Sequence, residues 1–176
     1  MAETVAVTEL TVYAQILAFL QAQEVPFTIH EHDESRTFND AKEALPFPLE
    51  RLLKTVAFRL KTAGWILVAL RGQDRIDYKR LARVLGVKRN EIVQLSPDEV
   101  KSVLHVESGS VGPVPTVPNI QVLFDSHVSR TETVFTGVGR PDRTLEIKLD
   151  DLVRVAQGRM ASVVQEPPTS ENPHTG

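Results

Sequence analysis

The chain has 176 residues, 41% of them apolar and 24% charged, and a net charge of −3. This profile predicts one soluble globular domain large enough to build its own core, and argues against a protein that coats nucleic acid by bulk positive charge. The absence of cysteine excludes disulfides, thiolate catalysis and Cys-based zinc sites, and fits a cytoplasmic protein.

The start, Met1-Ala2-Glu3-Thr4, carries neither the cationic nor the apolar region of a secretion signal. Thr8 to Gln23 reads as an amphipathic helix, with Leu10, Tyr13, Leu17 and Leu20 at helical spacing and Thr8 as its cap. Val25-Pro26 ends it, and Phe27 to His32 reads as a strand. Thr37 then caps a short helix, Asn39 to Ala44, that Pro46 and Pro48 stop. Leu53 to Leu60 and Trp65 to Leu70 are strands joined by a Gly-containing link of hairpin length. The second is also the longest apolar run, far too short to cross a bilayer.

Asp77 to Leu85 is a helix closed by Gly86, and Glu91 to Leu95 a short strand. Ser96-Pro97-Asp98-Glu99 opens a helix with a capping box, running to about His105. Glu107 to Asn119 is an irregular loop. Ile120 to Phe124, Thr133 to Phe135 and Thr144 to Lys148 are strands, Leu149 to Gln157 a helix, and Ala161 to Val164 a last strand. Residues 165–176, rich in proline and poor in apolar side chains, predict a disordered tail after a single domain over 1–164. Strands and helices interleave irregularly, with hairpins among the strands. The expected class is therefore α/β (α+β): a mixed, mostly antiparallel, barrel-like sheet core with surrounding helices.

Walker, dinucleotide, nucleophile-elbow and zinc-protease motifs are all missing. His30 and His32 share a strand face, but too few further ligands accompany them to predict a metal. Asp125-Ser126-His127 is not expected to make a triad, because neighbours on a strand point to opposite faces and triads are assembled from separated segments. The remaining chemistry positions a water and stabilises an oxyanion with backbone N–H groups, enough for an activated ester. Residues 71–90 hold seven cationic side chains against two carboxylates. That segment is either a solvated helix face or a surface for phosphates, with Arg75, Lys79, Arg80 and Arg83 as the contacts.

Lys54, in Arg51-Leu52-Leu53-Lys54-Thr55-Val56, sits at the mouth of an apolar strand. It either keeps its head in water over a packed stem or presents a cation to a ligand. Gly109-Ser110-Val111-Gly112-Pro113 either turns the chain or offers free N–H groups. These two segments, with Asp77-Tyr78-Lys79-Arg80-Leu81-Ala82 between them, occur in an order and spacing that resembles the YbaK-type aminoacyl-tRNA editing domain family. That family includes free-standing trans-editing deacylases and the editing insertion of bacterial prolyl-tRNA synthetases. The resemblance covers residues 8–164 and implies a compact fold around a mixed sheet. It also implies hydrolysis of the ester joining a wrong amino acid to the 3′ end of tRNA.

By the same resemblance, Lys54 matches the family lysine associated with the terminal adenosine and its phosphate. Gly109, Ser110, Val111, Gly112 and Pro113 match the Gly-x-x-x-Pro loop that approaches the scissile ester. His32 and Ala41 fall at amino-acid pocket positions. Thr136 and Gly137 fall near a segment that carries a pocket-gating histidine in the synthetase insertion. This chain has no histidine there, so the substrate does not carry over. The implied partner is the acceptor end of aminoacyl-tRNA, with a synthetase as a source of borrowed tRNA discrimination; no cofactor, metal, membrane or DNA partner is expected. The rival expectation is a non-catalytic module of the same fold that holds an aminoacyl or nucleotide-like ligand.

Overall fold

The structure, a computed structural model, describes residues 11–35, 37–62 and 64–166. The expected cap Thr8 and residues 167–176 of the expected tail lie outside the described residues. Helix α1 spans Val12–Ala22, and the Thr11 hydroxyl accepts the Ala14 N–H at its start. Strand β1 is Phe27–Glu31, one residue shorter than expected, which leaves His32 just beyond it. Helix α2 is Phe38–Ala44, opened by a reciprocal capping box between Thr37 and Asp40.

Strands β2, Leu53–Leu60, and β3, Trp65–Arg71, form the expected hairpin. Helix α3, Tyr78–Leu85, starts at Asp77, whose carboxylate accepts the Lys79 and Arg80 N–H groups, and ends at Gly86 with φ of 67°. A single 3-10 turn, Arg89–Glu91, precedes β4, Ile92–Gln94. Helix α4, Pro97–Leu104, carries the Ser96/Glu99 capping box. Then follow β5, Ile120–Asp125; β6, Thr133–Thr136; β7, Arg143–Lys148; α5, Leu149–Val155; and β8, Arg159–Ala161. The last strand thus lies earlier than expected. Val164 instead forms an isolated bridge with Ile76, and Gln165 N–H donates to the Arg75 carbonyl.

The strands make two sheets, ordered β1-β7-β6 and β4-β2-β3-β5-β8. The first is antiparallel; in the second, β5 runs parallel to β3 and β8. A parallel bridge, Leu52 with Phe135, joins them, and they do not close into a barrel. Strand β3 explains its own unbroken apolar sequence. Ile66, Val68 and Leu70 face one core cluster, Leu67 and Ala69 the other, so both faces of this strand are buried. Helix α3 covers one face through Leu81 and Ala82. Helices α1, α4 and α5 fill the other with Leu20, Leu104 and Leu152, against Val134, Leu145 and Ile147 of the smaller sheet. No helix among the described residues is long and apolar enough to cross a membrane.

Candidate functional site

A cleft of about 160 Å³ opens where the two sheets meet. Its walls come from the start of β2, from α2, from the loop after α4, and from the turn between β6 and β7. Lys54, Gly109, Val111, His32, Ala41, Thr136 and Gly137 all line it. Three depressions are larger: those of about 430 and 560 Å³ contain neither Lys54 nor any of the buried hydroxyls that lack a partner among the described residues, whereas one of about 230 Å³ shares Lys54, Thr55, Gly109 and Val111 with the cleft.

Lys54 is half-buried beside Leu70, its register partner. Burial pulls its pKa below the ordinary 10.5, Asp74 pulls the other way, and the charge of Arg75 adds to the lowering. Among the described residues its ammonium has no hydrogen-bond or ion-pair partner. Asp74 is engaged with Arg71 through a 2.7 Å bond.

The glycine loop is held from behind. Ser110 N–H donates to the Glu107 carbonyl at 2.9 Å, and the Ser110 carbonyl accepts from Gly139 N–H at 2.8 Å. Ser110 N–H, an expected oxyanion donor, is therefore occupied. The N–H groups of Gly109 and Val111 have no backbone acceptor among the described residues. Gly112 and Pro113 are buried and do not line the cleft. Neither Gly109 nor Gly112 has a positive φ; Gly112 is needed for another reason. A β-carbon there would come within 2.1 Å of the Gly137 carbonyl oxygen, and one at Gly137 within 2.7 Å of the Val111 oxygen. Two glycines thus let the loop and the end of β6 touch backbone to backbone.

His32 is fixed by both ring nitrogens. Nδ1 lies 2.6 Å from the Asp33 carbonyl and Nε2 lies 2.8 Å from the buried Thr144 hydroxyl. A carbonyl only accepts, so Nδ1 carries the proton, and in the neutral ring Nε2 accepts from Thr144. His30 points elsewhere, to Glu146 and the Phe47 ring, so the two histidines do not converge.

Sequence reasoning missed the Arg140–Arg143 turn, which also lines the cleft. Arg140 grips Asp142 through two bonds of 2.8 and 2.9 Å and holds its carboxyl below the usual value. Arg143 reaches the same carboxylate and Glu31. The signal was two arginines in a short turn directly after Thr136-Gly137. Of the expected phosphate contacts, Arg80 is bound to Asp77, Ser162 and Glu166, whereas Arg75, Lys79 and Arg83 are exposed.

The Asp125–His127 pair does form. Strand β5 ends at Asp125, so the chain turns and His127 donates its backbone N–H and Nδ1 to the Asp125 carboxylate, at 3.0 and 2.9 Å. The opposite-faces argument does not apply there. The other Asp125 oxygen accepts from Val163 N–H, and the pair lies outside the cleft.

The family profile described as "Aminoacyl-tRNA editing domain" matches residues 32–155. The proline–tRNA ligase of Xanthomonas campestris pv. campestris (strain 8004) is 32% identical over 94 residues, 53% of this chain and 16% of the ligase. The uncharacterized protein YwhH of Bacillus subtilis (strain 168) is 30% identical over 118 residues, covering 67% of this chain and 73% of YwhH. Two solved structures share the fold. Hypothetical protein APE2540 has a TM-score of 0.78 at 21% identity, over 86% of this chain and 99% of its own. A protein described as a candidate trans-editing enzyme for prolyl tRNA synthetase has a TM-score of 0.76 at 18% identity, over 90% of this chain and 100% of its own.

Proposed function

Because this chain belongs to the aminoacyl-tRNA editing domain family, we propose that it is an aminoacyl-tRNA deacylase acting in trans, a hydrolase that cleaves the ester of a mischarged tRNA. The observation that carries this reading is the convergence of Lys54, the Gly109–Val111 segment and Thr136-Gly137 on one cleft. These segments are far apart in sequence, and no nucleophilic side chain is required of them.

In this reading Lys54 holds the phosphate or ribose of the terminal adenosine. The Gly109 and Val111 N–H groups receive the charge that develops on the ester oxygen, and water is the nucleophile. His32 and Ala41 shape the amino-acid end. A panel of mischarged tRNAs tests it: at least one should release free amino acid well above the spontaneous rate. Tight binding without release from any of them would make the chain a holding module.

Arg75, Lys79 and Arg83 supply phosphate contacts outside the cleft. Lys79 and Arg83 lie four residues apart on α3 and so share a face. Removing both should reduce the dependence of log Kd on log salt by roughly 1 to 2 units, since each neutralised phosphate contributes about 0.7–0.9. An unchanged slope would leave this face as solvated surface.

A further inference from the structure

Arg80 differs from the exposed cations around it because a carboxylate already sits on it. Its Nη1 donates to Glu166 Oε1 at 3.0 Å and to the Ser162 hydroxyl at 3.1 Å. The second Glu166 oxygen, Oε2, lies 4.0 Å from His127 Nε2. Asp77, 3.7 Å from Arg80 Nε, is committed to capping α3. The segment after β8 is pinned as far as Gln165, by Val163 N–H on Asp125 and Gln165 N–H on the Arg75 carbonyl. Glu166 follows those anchors. Its side chain is 55% exposed, against 33% for Arg80 and 31% for His127, so it is the member of the group most easily displaced.

His127 is aimed outward by a buried group. Asp125 is fully buried and takes both the His127 backbone N–H and Nδ1. A carboxylate only accepts, so Nδ1 keeps its proton and the ring presents Nε2 to Glu166. One carboxylate oxygen thus rests on a guanidinium while the other faces an imidazole. A phosphodiester offers two non-bridging oxygens in the same way, and guanidinium groups bind them with charge-assisted hydrogen bonds.

We propose that Arg80 and His127 form a phosphate site, occupied by the Glu166 carboxylate in the free protein and taken over by a backbone phosphodiester when tRNA binds. The choice of tRNA as ligand rests on the editing reading; ester hydrolysis is not required. The site extends the contacts of Arg75, Lys79 and Arg83, which are exposed on and beside the same helix. With Nδ1 held by Asp125, Nε2 donates to a phosphate oxygen only in the protonated ring. The charged groups set against that ring are Asp125 and Glu166, with Arg80 beyond Glu166 and Arg71 within the field of Asp125.

Binding of fluorescently labelled uncharged tRNA to the full chain tests the site. Glu166→Gln should tighten binding about 2- to 5-fold, the range an exposed ion pair contributes. It should also steepen the dependence of log Kd on log salt by roughly 0.7–0.9, since in the parent the displaced carboxylate retains a counterion that the phosphate contact would otherwise release. Both gains should vanish when Arg80→Gln is added. Asp150, on α5 across the sheet from α3, is about as exposed as Glu166 and is also paired with an arginine, Arg130. Asp150→Asn removes the same charge and should change affinity by no more than about 1.5-fold. Affinity in the parent should rise as pH falls from about 8 to about 6, and His127→Gln should flatten that rise. An unchanged affinity in Glu166→Gln, an equal gain from Asp150→Asn, a gain that survives Arg80→Gln, or a pH response untouched by His127→Gln would each overturn the proposal. So would a Glu166→Gln protein that gains affinity for inorganic phosphate and none for tRNA. Uncharged tRNA carries no ester, so binding and the mischarged-tRNA panel are independent. Failure of hydrolysis in the panel leaves the phosphate site standing, and failure of these binding effects leaves the deacylase.

Discussion

Gly112→Ala should lower kcat/KM for deacylation by about a hundredfold or more, the scale of losing an oxyanion donor. The cause is not a clash with substrate or a forbidden φ, since Gly112 lies behind the cleft wall and its φ is not positive. Its added methyl would lie 2.1 Å from the Gly137 oxygen and 3.0 Å from the Gly137 carbonyl carbon. Both are backbone atoms in a segment that also lines the cleft, so no side-chain rotation relieves the overlap. The loop must move away from β6, carrying the Val111 N–H with it. Overpacking of this kind costs about 1–3 kcal/mol, so Tm should fall while the protein still folds. If the N–H groups act on the transition state, kcat should fall more than substrate affinity. Gly137→Ala should reproduce the effect from the other side. Gly109→Ala is the informative contrast: Gly109 is exposed on the cleft wall, so a loss there reports a ligand against it and not a displaced loop. A Gly112→Ala protein with activity within about threefold of the parent would remove the loop from the mechanism.

What was legible in the sequence was what local chemistry dictates. Caps at Thr37 and Ser96 and the left-handed Gly86 fixed helix ends, because each supplies or accommodates a specific orphan backbone group. The buried run Trp65–Leu70 announced a central strand. What was not legible depended on contacts distant in sequence. The last strand sits at Arg159–Ala161 because its partner is β5, and Val163 and Val164 are taken up by Asp125 and Ile76; hydrophobicity alone favoured the valines. The site followed the same division. Lys54 and the glycine loop were visible as segments, and Thr136-Gly137 entered through family resemblance. That Gly112 answers Gly137, and that Thr55 and Thr136 share one cleft, depends on how β2 and β6 meet.

Lys54→Met should reduce kcat/KM by about 10- to 150-fold, the equivalent of the 1.5–3 kcal/mol that a charge-assisted hydrogen bond contributes. Methionine keeps the apolar stem and removes only the ammonium, so lost packing does not enter. The structure gives the charge no other duty. It is half-buried, has no ion-pair partner among the described residues, and lies near the like charge of Arg75. Removing it should therefore leave Tm unchanged or raise it. The pH dependence supplies an independent check. A lysine is charged below its pKa, and burial, partly offset by Asp74 and reinforced by Arg75, puts this pKa below 10.5. The charged form is therefore lost earlier than in an ordinary lysine as pH rises. After subtraction of spontaneous ester hydrolysis, kcat/KM should fall along an alkaline limb centred below 10.5, because that ratio reports the free enzyme. The limb should be absent in Lys54→Met. Activity within about twofold of the parent, measured with substrate well below saturation, would show that the ammonium contacts nothing in the transition state and that Lys54 serves only to cover the start of β2.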